Sequence, residues 1–223
     1  MRTNSKKYYV ALDLSGPCSS FALLEVDGGN VLESKSMLLN NRNNFSFFNV
    51  FFLFLRELNI EIDEITEWFI GIGPGSFTGL RIASAFVSGV IFDKENVKVN
   101  AIPSAFPIAA KINSMSGDRI AVLCYASRGE VLVYNIVNNG GALISNKESV
   151  LAGEEKLFLE LEGFDHIVFL NNKFIAEVLP EQLIHKVTIL DTYPIELLFS
   201  DRYTIPSYTL EDLIYVRPAT ITS

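Results

Sequence analysis

The chain has 223 residues, of which 49% are hydrophobic and 20% are charged, and its formal net charge is −8. This composition excludes a disordered chain and provides enough apolar residues for a core in one large or two small domains. The acidic balance disfavours a protein that grips nucleic acid unaided, because a negative protein and a phosphate backbone repel each other.

Cysteine usage and apolar segments indicate a soluble protein. Cys18 and Cys124 are too few for a disulfide framework or a four-ligand zinc site, and they are typical of a reducing compartment. The apolar run near the amino terminus is interrupted by Asp13, which favours a strand over a signal peptide. The most apolar segment, residues 45–55, is shorter than the roughly 20 residues that span a bilayer. We expect a cytoplasmic protein with no membrane contact.

The first half of the chain predicts an antiparallel meander followed by alternating helices and strands. A turn at residues 16–17 and a strong hairpin signal at residues 27–30 separate the first three strands. The predicted strands are 8–14, 21–26, 31–38, 68–72 and 97–102, and the predicted helices are 45–58, 78–92 and 104–112.

The second half repeats this order without repeating the residues. The predicted strands are 120–125, 131–137, one after the turn at 138–141, 167–170 and 187–190, and the predicted helices are 154–161, 174–179 and one from 195. We therefore predict an α/β fold of two similar lobes, each a mixed sheet flanked by helices. Residues 1–102 form the predicted N-terminal lobe. Residues 103–223 form a smaller C-terminal lobe whose tail returns to the first lobe.

A glycine-rich turn lies between the predicted strand 68–72 and helix 78–92. It lacks the third glycine of a dinucleotide fingerprint and the lysine of a P-loop. Its glycines permit positive φ or close backbone approach, and Ser76 or Thr78 can cap the helix. Two interpretations are open, a cradle for a phosphate group and a turn that lets the helix pack tightly. The sequence of the turn is Gly71-Ile72-Gly73-Pro74-Gly75-Ser76-Phe77-Thr78-Gly79-Leu80-Arg81-Ile82.

The two helices beside this turn are candidates for a protein interface. The predicted helix 45–58 is rich in phenylalanine and apolar on nearly all sides, so it lies deep in a core or faces another protein. The helix 78–92 carries small residues that let it pack closely on helix 45–58 and leave Arg81 exposed near its amino end, although a tight contact inside the chain needs no function. For helix 45–58 we favour the partner, and the predicted interface residues are Phe47, Phe48, Phe51, Phe54, Gly73, Gly75, Ser76, Phe77, Thr78, Gly79 and Arg81.

The remaining polar candidates do not assemble a catalytic centre. Asp13 and Ser15, at the end of the first strand, are candidate nucleotide contacts, although for Asp13 we favour hydrogen bonds to N–H groups of the following turn. His166 and His185 form no metal-binding helix motif, and no serine or cysteine has an identifiable base. We predict no catalytic residue and no metal site.

Four segments resemble the TsaB (YeaZ) family in order and spacing, and together they span nearly the whole chain. The glycine motif is the most specific of them. The segments are Ala11-Leu12-Asp13-Leu14-Ser15, Gly73-Pro74-Gly75-Ser76-Phe77-Thr78-Gly79-Leu80-Arg81-Ile82, Ser127-Arg128-Gly129-Glu130-Val131 and Leu213-Ile214-Tyr215-Val216-Arg217-Pro218.

The resemblance implies an actin-like, sugar-kinase-like (ASKHA) fold and a role in the threonylcarbamoyl modification of adenosine 37 in tRNA. Members of this family are not the catalyst. They form a heterodimer with the catalytic, metal-binding subunit TsaD, and the ATPase TsaE joins the assembly. The helices flanking the glycine motif dock TsaD or a second TsaB. The resemblance thus implies no cofactor beyond ATP or ADP at the subunit junction, and only indirect contact with tRNA.

Three departures from the family pattern favour this scaffold role over independent chemistry. Leu14 stands where the family has a threonine after the aspartate, and Tyr125-Ala126-Ser127 replaces Asp-Ala-Arg. The family's His-Ser pair before the first helix is replaced around residues 43–46. The alternative is an actin-like phosphotransferase or ATPase that uses Asp13 and residues 73–79 around a nucleotide.

Overall fold

Two mixed β-sheets with helices packed against them form the protein. The structure is a computed structural model that describes residues 6–38, 44–126, 130–145 and 150–216. Parts of the family-like motifs, Ser127 to Gly129 and Arg217-Pro218, lie outside the described residues, as does Asn43. In the described ranges, no helix combines the length and apolar character needed to cross a bilayer.

The first sheet has the strand order β3-β2-β1-β4-β5. Its central strand β1 runs antiparallel to β2 and parallel to β4. Two helices pack on one face of this sheet, where they enclose a phenylalanine-rich core. The elements are β1 (Tyr8–Asp13), β2 (Cys18–Glu25), β3 (Asn30–Leu38), α1 (Asn44–Glu57), β4 (Ile65–Gly71), α2 (Phe77–Ile91) and β5 (Lys98–Ile102).

The second sheet has the order β11-β10-β6-β7-β8-β12, and β9 also pairs with β7. Helix α3 (Ala105–Ala110) and a 3₁₀ turn at Ile195–Phe199 lie between the two sheets, where a central apolar cluster joins them. The other elements are β6 (Arg119–Tyr125), β7 (Glu130–Asn139), β8 (Ala142–Ser145), β9 (Val150–Gly153), α4 (Glu154–Leu161), β10 (His166–Leu170), α5 (Lys173–Val178), β11 (Val187–Leu190) and β12 (Tyr203–Thr204).

The two sheets share one topology. In each, a central strand pairs antiparallel with the next strand along the chain and parallel with a strand that follows a helix. This confirms the predicted α/β fold of two similar lobes with mixed sheets. The helix predicted from residue 195 is a short 3₁₀ turn instead, and strands β9 and β12 were not predicted.

Candidate functional site

The glycine turn connects β4 to α2 and caps the helix. The Ser76 hydroxyl accepts a hydrogen bond from the Gly79 N–H at 3.2 Å, so Ser76 is the cap of the two predicted candidates. Gly73 has φ +98°, a conformation that favours glycine, and its peptide bond to Pro74 is cis. The predicted turn is present, and α2 begins at Phe77, one residue before the predicted start.

Backbone from other segments of the chain fills the space beside three glycines of this turn. A Cβ atom at any of them would clash with a main-chain oxygen. A Cβ atom would lie 2.2 Å from the Ile214 oxygen if it were added at Gly73, 2.2 Å from the Ser15 oxygen at Gly75, and 1.9 Å from the Leu14 oxygen at Gly79. These contacts favour the tight-packing interpretation of the motif over a phosphate cradle.

The carboxyl-terminal segment reaches the glycine turn and runs beside α2. The Ile214 N–H donates to the Ile72 oxygen at 2.7 Å, and the Ser84 hydroxyl donates to the Leu210 oxygen at 2.8 Å. We call residues 209–216 the tail segment. Since β12 precedes it in the second sheet, this segment ties the second lobe to the first.

Asp13 is held by the turn that follows β1. Its carboxyl is 2% exposed, and Oδ1 accepts hydrogen bonds from the Ser15 N–H at 2.7 Å and the Ser15 hydroxyl at 2.6 Å. Burial raises the pKa of Asp13, and hydrogen bonds that include those from Ser15 oppose part of this rise. Asp13 thus bonds the turn, as one of its two interpretations predicts, and its contact with a nucleotide stays a prediction.

A cleft of about 520 Å³ lies between the two lobes, a volume in the range of small-molecule sites. Ser15, Phe77, Tyr125 and Asn171 line it, and all of them follow or end strands or begin helices. Cys124 also lines the cleft, but burial raises the pKa of its thiol to about 12, so it stays protonated and a poor nucleophile.

No histidine is found among the described residues that line this cleft. The imidazole Nε2 of His166 lies 3.0 Å from Oδ2 of Asp118, and neither residue lines the cleft. Across the described parts of the chain, no group of three histidine, cysteine or acidic side chains could hold a metal ion.

Helices α1 and α2 leave an apolar surface open to solvent. Phe52 is 46% exposed, Leu53 is 49% exposed, and Phe92, directly after α2, is 82% exposed. The Phe86 ring contacts the rings of Phe48 and Phe52 at centroid distances of 4.7 and 6.0 Å, which joins the two helices side by side. We call this surface the outer face, and it consists of Phe52, Leu53, Thr78, Arg81, Ala85, Ser88, Gly89 and Phe92.

Several predicted interface residues lie in the core instead. Phe47, Phe51 and Phe54 are each 1% exposed and pack around the Phe21 ring, so their side chains cannot contact a partner. They share the inner side of α1 because residues three and four apart face the same way. Of the other predicted residues, Gly73 and Gly79 are buried, Phe48, Gly75 and Phe77 are half-buried, and Ser76, Thr78 and Arg81 are exposed.

The exposed apolar residues of the outer face were missed. The periodicity of the helix could have predicted that Phe52 and Leu53 are exposed. Once Phe47, Phe51 and Phe54 are assigned to one stripe, the residues that follow Phe51 fall on the opposite side.

The fold is similar to that of YeaZ from Pseudomonas aeruginosa, with a TM-score of 0.65 and 21% identity over 86% of this chain and 88% of that chain. A second structure, described as an uncharacterized Pseudomonas aeruginosa protein similar to peptidase YeaZ, has the same TM-score and identity over 86% and 89%. A Bacteroides thetaiotaomicron protein with an actin-like ATPase fold has a TM-score of 0.50 and 10% identity over 88% and 97%.

No protein-family model matches the chain, and neither does any curated protein. The structural likeness, together with the shared topology of the two sheets, agrees with the resemblance to the TsaB (YeaZ) family found in the sequence. The chain therefore has the YeaZ fold, a two-lobed α/β fold of the actin-like type.

Proposed function

We propose that this protein is a noncatalytic scaffold and activator subunit of the bacterial complex that makes threonylcarbamoyladenosine at adenosine 37 of tRNA. It forms a heterodimer with the catalytic subunit TsaD. The observation that carries the proposal is the outer face, which exposes large apolar side chains of α1 together with small residues of α2. The YeaZ fold and the TsaB-like motifs support TsaD as the proposed partner of that face.

The outer face has the physical character of a docking surface. Exposed apolar side chains such as Phe52 and Phe92 are unfavourable in water and are stabilised when a partner covers them. Ala85, Ser88 and Gly89 allow a partner helix to approach α2 closely. Arg81 is the one charged residue in α2, and depletion of charge is typical of the centre of protein interfaces.

Two features of the site support a noncatalytic role. The glycine turn contacts backbone of its own chain where an active phosphotransferase would hold phosphate groups. The Asp13 carboxyl is buried, and desolvation raises the pKa of the half-buried Cys124 thiol, which disfavours the reactive thiolate. In this account TsaE joins the TsaD complex, tRNA contacts TsaD, and adenine nucleotide binds at the subunit junction. Without TsaD, the same face pairs with a second copy.

The test is calorimetry with TsaD and with ATP in parallel. We expect saturable association with TsaD and no magnesium-dependent ATP hydrolysis by the isolated chain. Absence of association contradicts the proposal. Hydrolysis by the isolated chain that Asp13→Asn abolishes would favour the alternative, an actin-like ATPase or phosphotransferase.

A further inference from the structure

Arg81 is held in a fixed position at the edge of the outer face. Its guanidinium carbon lies 4.0 Å from the centroid of the Phe77 ring, a distance at which the cation is attracted to the face of the ring. Its Nε donates a hydrogen bond to the Tyr215 hydroxyl at 3.4 Å. Two aromatic side chains therefore orient one exposed cation.

Tyr215 belongs to the tail segment and is itself fixed to the glycine turn. Its backbone forms a β-bridge with Gly75, and its ring lies 4.8 Å from the Phe77 ring between centroids. The preceding residue, Ile214, donates its N–H to Ile72. The tail segment thus places the tyrosine hydroxyl against the arginine from a distance of 134 residues along the chain.

Among the described residues, none forms a hydrogen bond or ion pair with the terminal nitrogens of Arg81. In the described ranges, no carboxylate forms an ion pair with Arg81, and its hydrogen bond to Tyr215 uses Nε alone. The two terminal amino groups of a guanidinium form a planar fork that matches a carboxylate. Because the side chain is already oriented, less conformational entropy is lost when it binds.

We propose that Arg81 is the charged anchor of the outer face and binds a carboxylate of the partner protein, with Tyr215 as the positioning residue that holds its guanidinium. The inference rests on the proposed function, since it names the chemistry that TsaD presents to this face. The anchor lies at one end of α2, and Phe92 supplies an apolar contact at the other end.

Local charge favours a protein carboxylate over an RNA phosphate as the group that Arg81 binds. Glu211 and Asp212 are exposed in the same tail segment, and hydrogen bonds from Thr209 lower the pKa of Asp212, so it stays ionised. The chain as a whole carries a net charge of −8. A single carboxylate can bind the guanidinium of Arg81, whereas the many negative charges of a phosphate backbone would be repelled by Glu211 and Asp212.

The experiment measures TsaD affinity by calorimetry for Arg81→Gln, Tyr215→Phe, the double variant and the control Arg119→Gln. Arg119 is a matched control because its guanidinium carbon lies 4.6 Å from the centroid of the Phe164 ring and it donates a hydrogen bond to the Gly163 oxygen, yet it lies in the second lobe. Tyr215→Phe removes only the hydroxyl and keeps the ring contact with Phe77. Thermal unfolding of each variant checks that it is folded.

We expect Arg81→Gln to weaken TsaD binding about 10- to 100-fold, the range of a hydrogen bond to a charged group. Tyr215→Phe weakens it about threefold to tenfold through the arginine it positions. The double variant then binds no more weakly than Arg81→Gln, because Tyr215 has no role once Arg81 is gone. Arg119→Gln binds like wild type, and high salt weakens wild type more than Arg81→Gln.

Four results would overturn the inference. Unchanged TsaD binding by folded Arg81→Gln would show that Arg81 is not the anchor. Fully additive losses of affinity in the double variant would show that Tyr215 does not act through Arg81. Both leave the proposed function intact, whereas failure of wild type to bind TsaD contradicts both proposals. Binding of wild type to tRNA without TsaD, lost in Arg81→Gln, would show that the arginine binds phosphate.

Discussion

The two sides of helix α1 differ sharply in burial although both carry phenylalanine. On the inner side of α1, Phe51 is 1% exposed and touches the rings of Phe21 and Trp68. On the outer side, its neighbour Phe52 is 46% exposed. A helix turns about 100° per residue, so adjacent phenylalanines have opposite environments. An apolar helix can therefore build a core and still leave apolar surface for a partner.

The largest expected effect is a difference in the free energy of unfolding between variants of Phe51 and Phe52. Phe51→Ala should lower the free energy of unfolding by about 3–5 kcal/mol, because it leaves a cavity among packed rings. Phe52→Ala should lower it by less than about 1 kcal/mol, because the ring is half in water already. Urea denaturation measures both. Equal losses would show that the two sides do not differ as described.

The same contrast holds for two glycines of α2. Gly79 lies on the inner side, where a Cβ atom would approach the Leu14 oxygen to 1.9 Å, and Gly89 lies outside with no atom within 4 Å of a Cβ. Gly79→Ala should cost about 1–3 kcal/mol from overpacking. Gly89→Ala should stabilise the protein by about 0.5–1 kcal/mol, because alanine favours the helix. Destabilisation by both, measured in the same denaturation series, would contradict this account.

Asp13, at the end of β1, extends the contrast between buried and exposed residues to a buried carboxyl group. Burial raises its pKa above the ordinary value of 3.8, with partial opposition from hydrogen bonds, so the folded protein holds this proton more tightly than the unfolded chain. The contribution of the group to stability is therefore greatest below pH 3.8 and falls as the pH rises through the raised pKa.

Asp13→Asn removes this titration. We expect the free energy of unfolding of wild type, relative to the variant, to decrease as the pH rises from about 4 into the neutral range. Denaturation at a series of pH values measures it. A relative stability that increases over that range would show that hydrogen bonds to the carboxylate outweigh its burial.

The sequence predicts elements whose signals are local. Helix α4 (Glu154–Leu161) and strand β11 (Val187–Leu190) occur with the predicted bounds, because apolar periodicity and flanking turns define them. Strands β9 and β12 are short and pair with β7 and β8, so nothing in their own residues predicts them. Their existence depends on tertiary pairing.

In the candidate functional site, too, the sequence predicts local features and not the contacts between distant segments. The glycine motif predicts a turn and a helix start, and Ser76 caps α2 as one of two candidates. It does not predict which segments approach the glycines, because Leu14 and Ile214 lie far from them along the chain. The hydrogen bond between Arg81 and Tyr215 likewise forms because the tail segment returns to the first lobe.

The central claim is that the outer face of α1 and α2 binds the catalytic partner. The most direct measurement is the TsaD affinity of Phe52→Asp beside that of Leu159→Asp, a matched variant at a 71% exposed apolar residue of α4 in the second lobe. We expect Phe52→Asp to weaken binding by at least about tenfold and Leu159→Asp to leave it unchanged. Wild-type affinity in folded Phe52→Asp, or an equal loss in both variants, would contradict it.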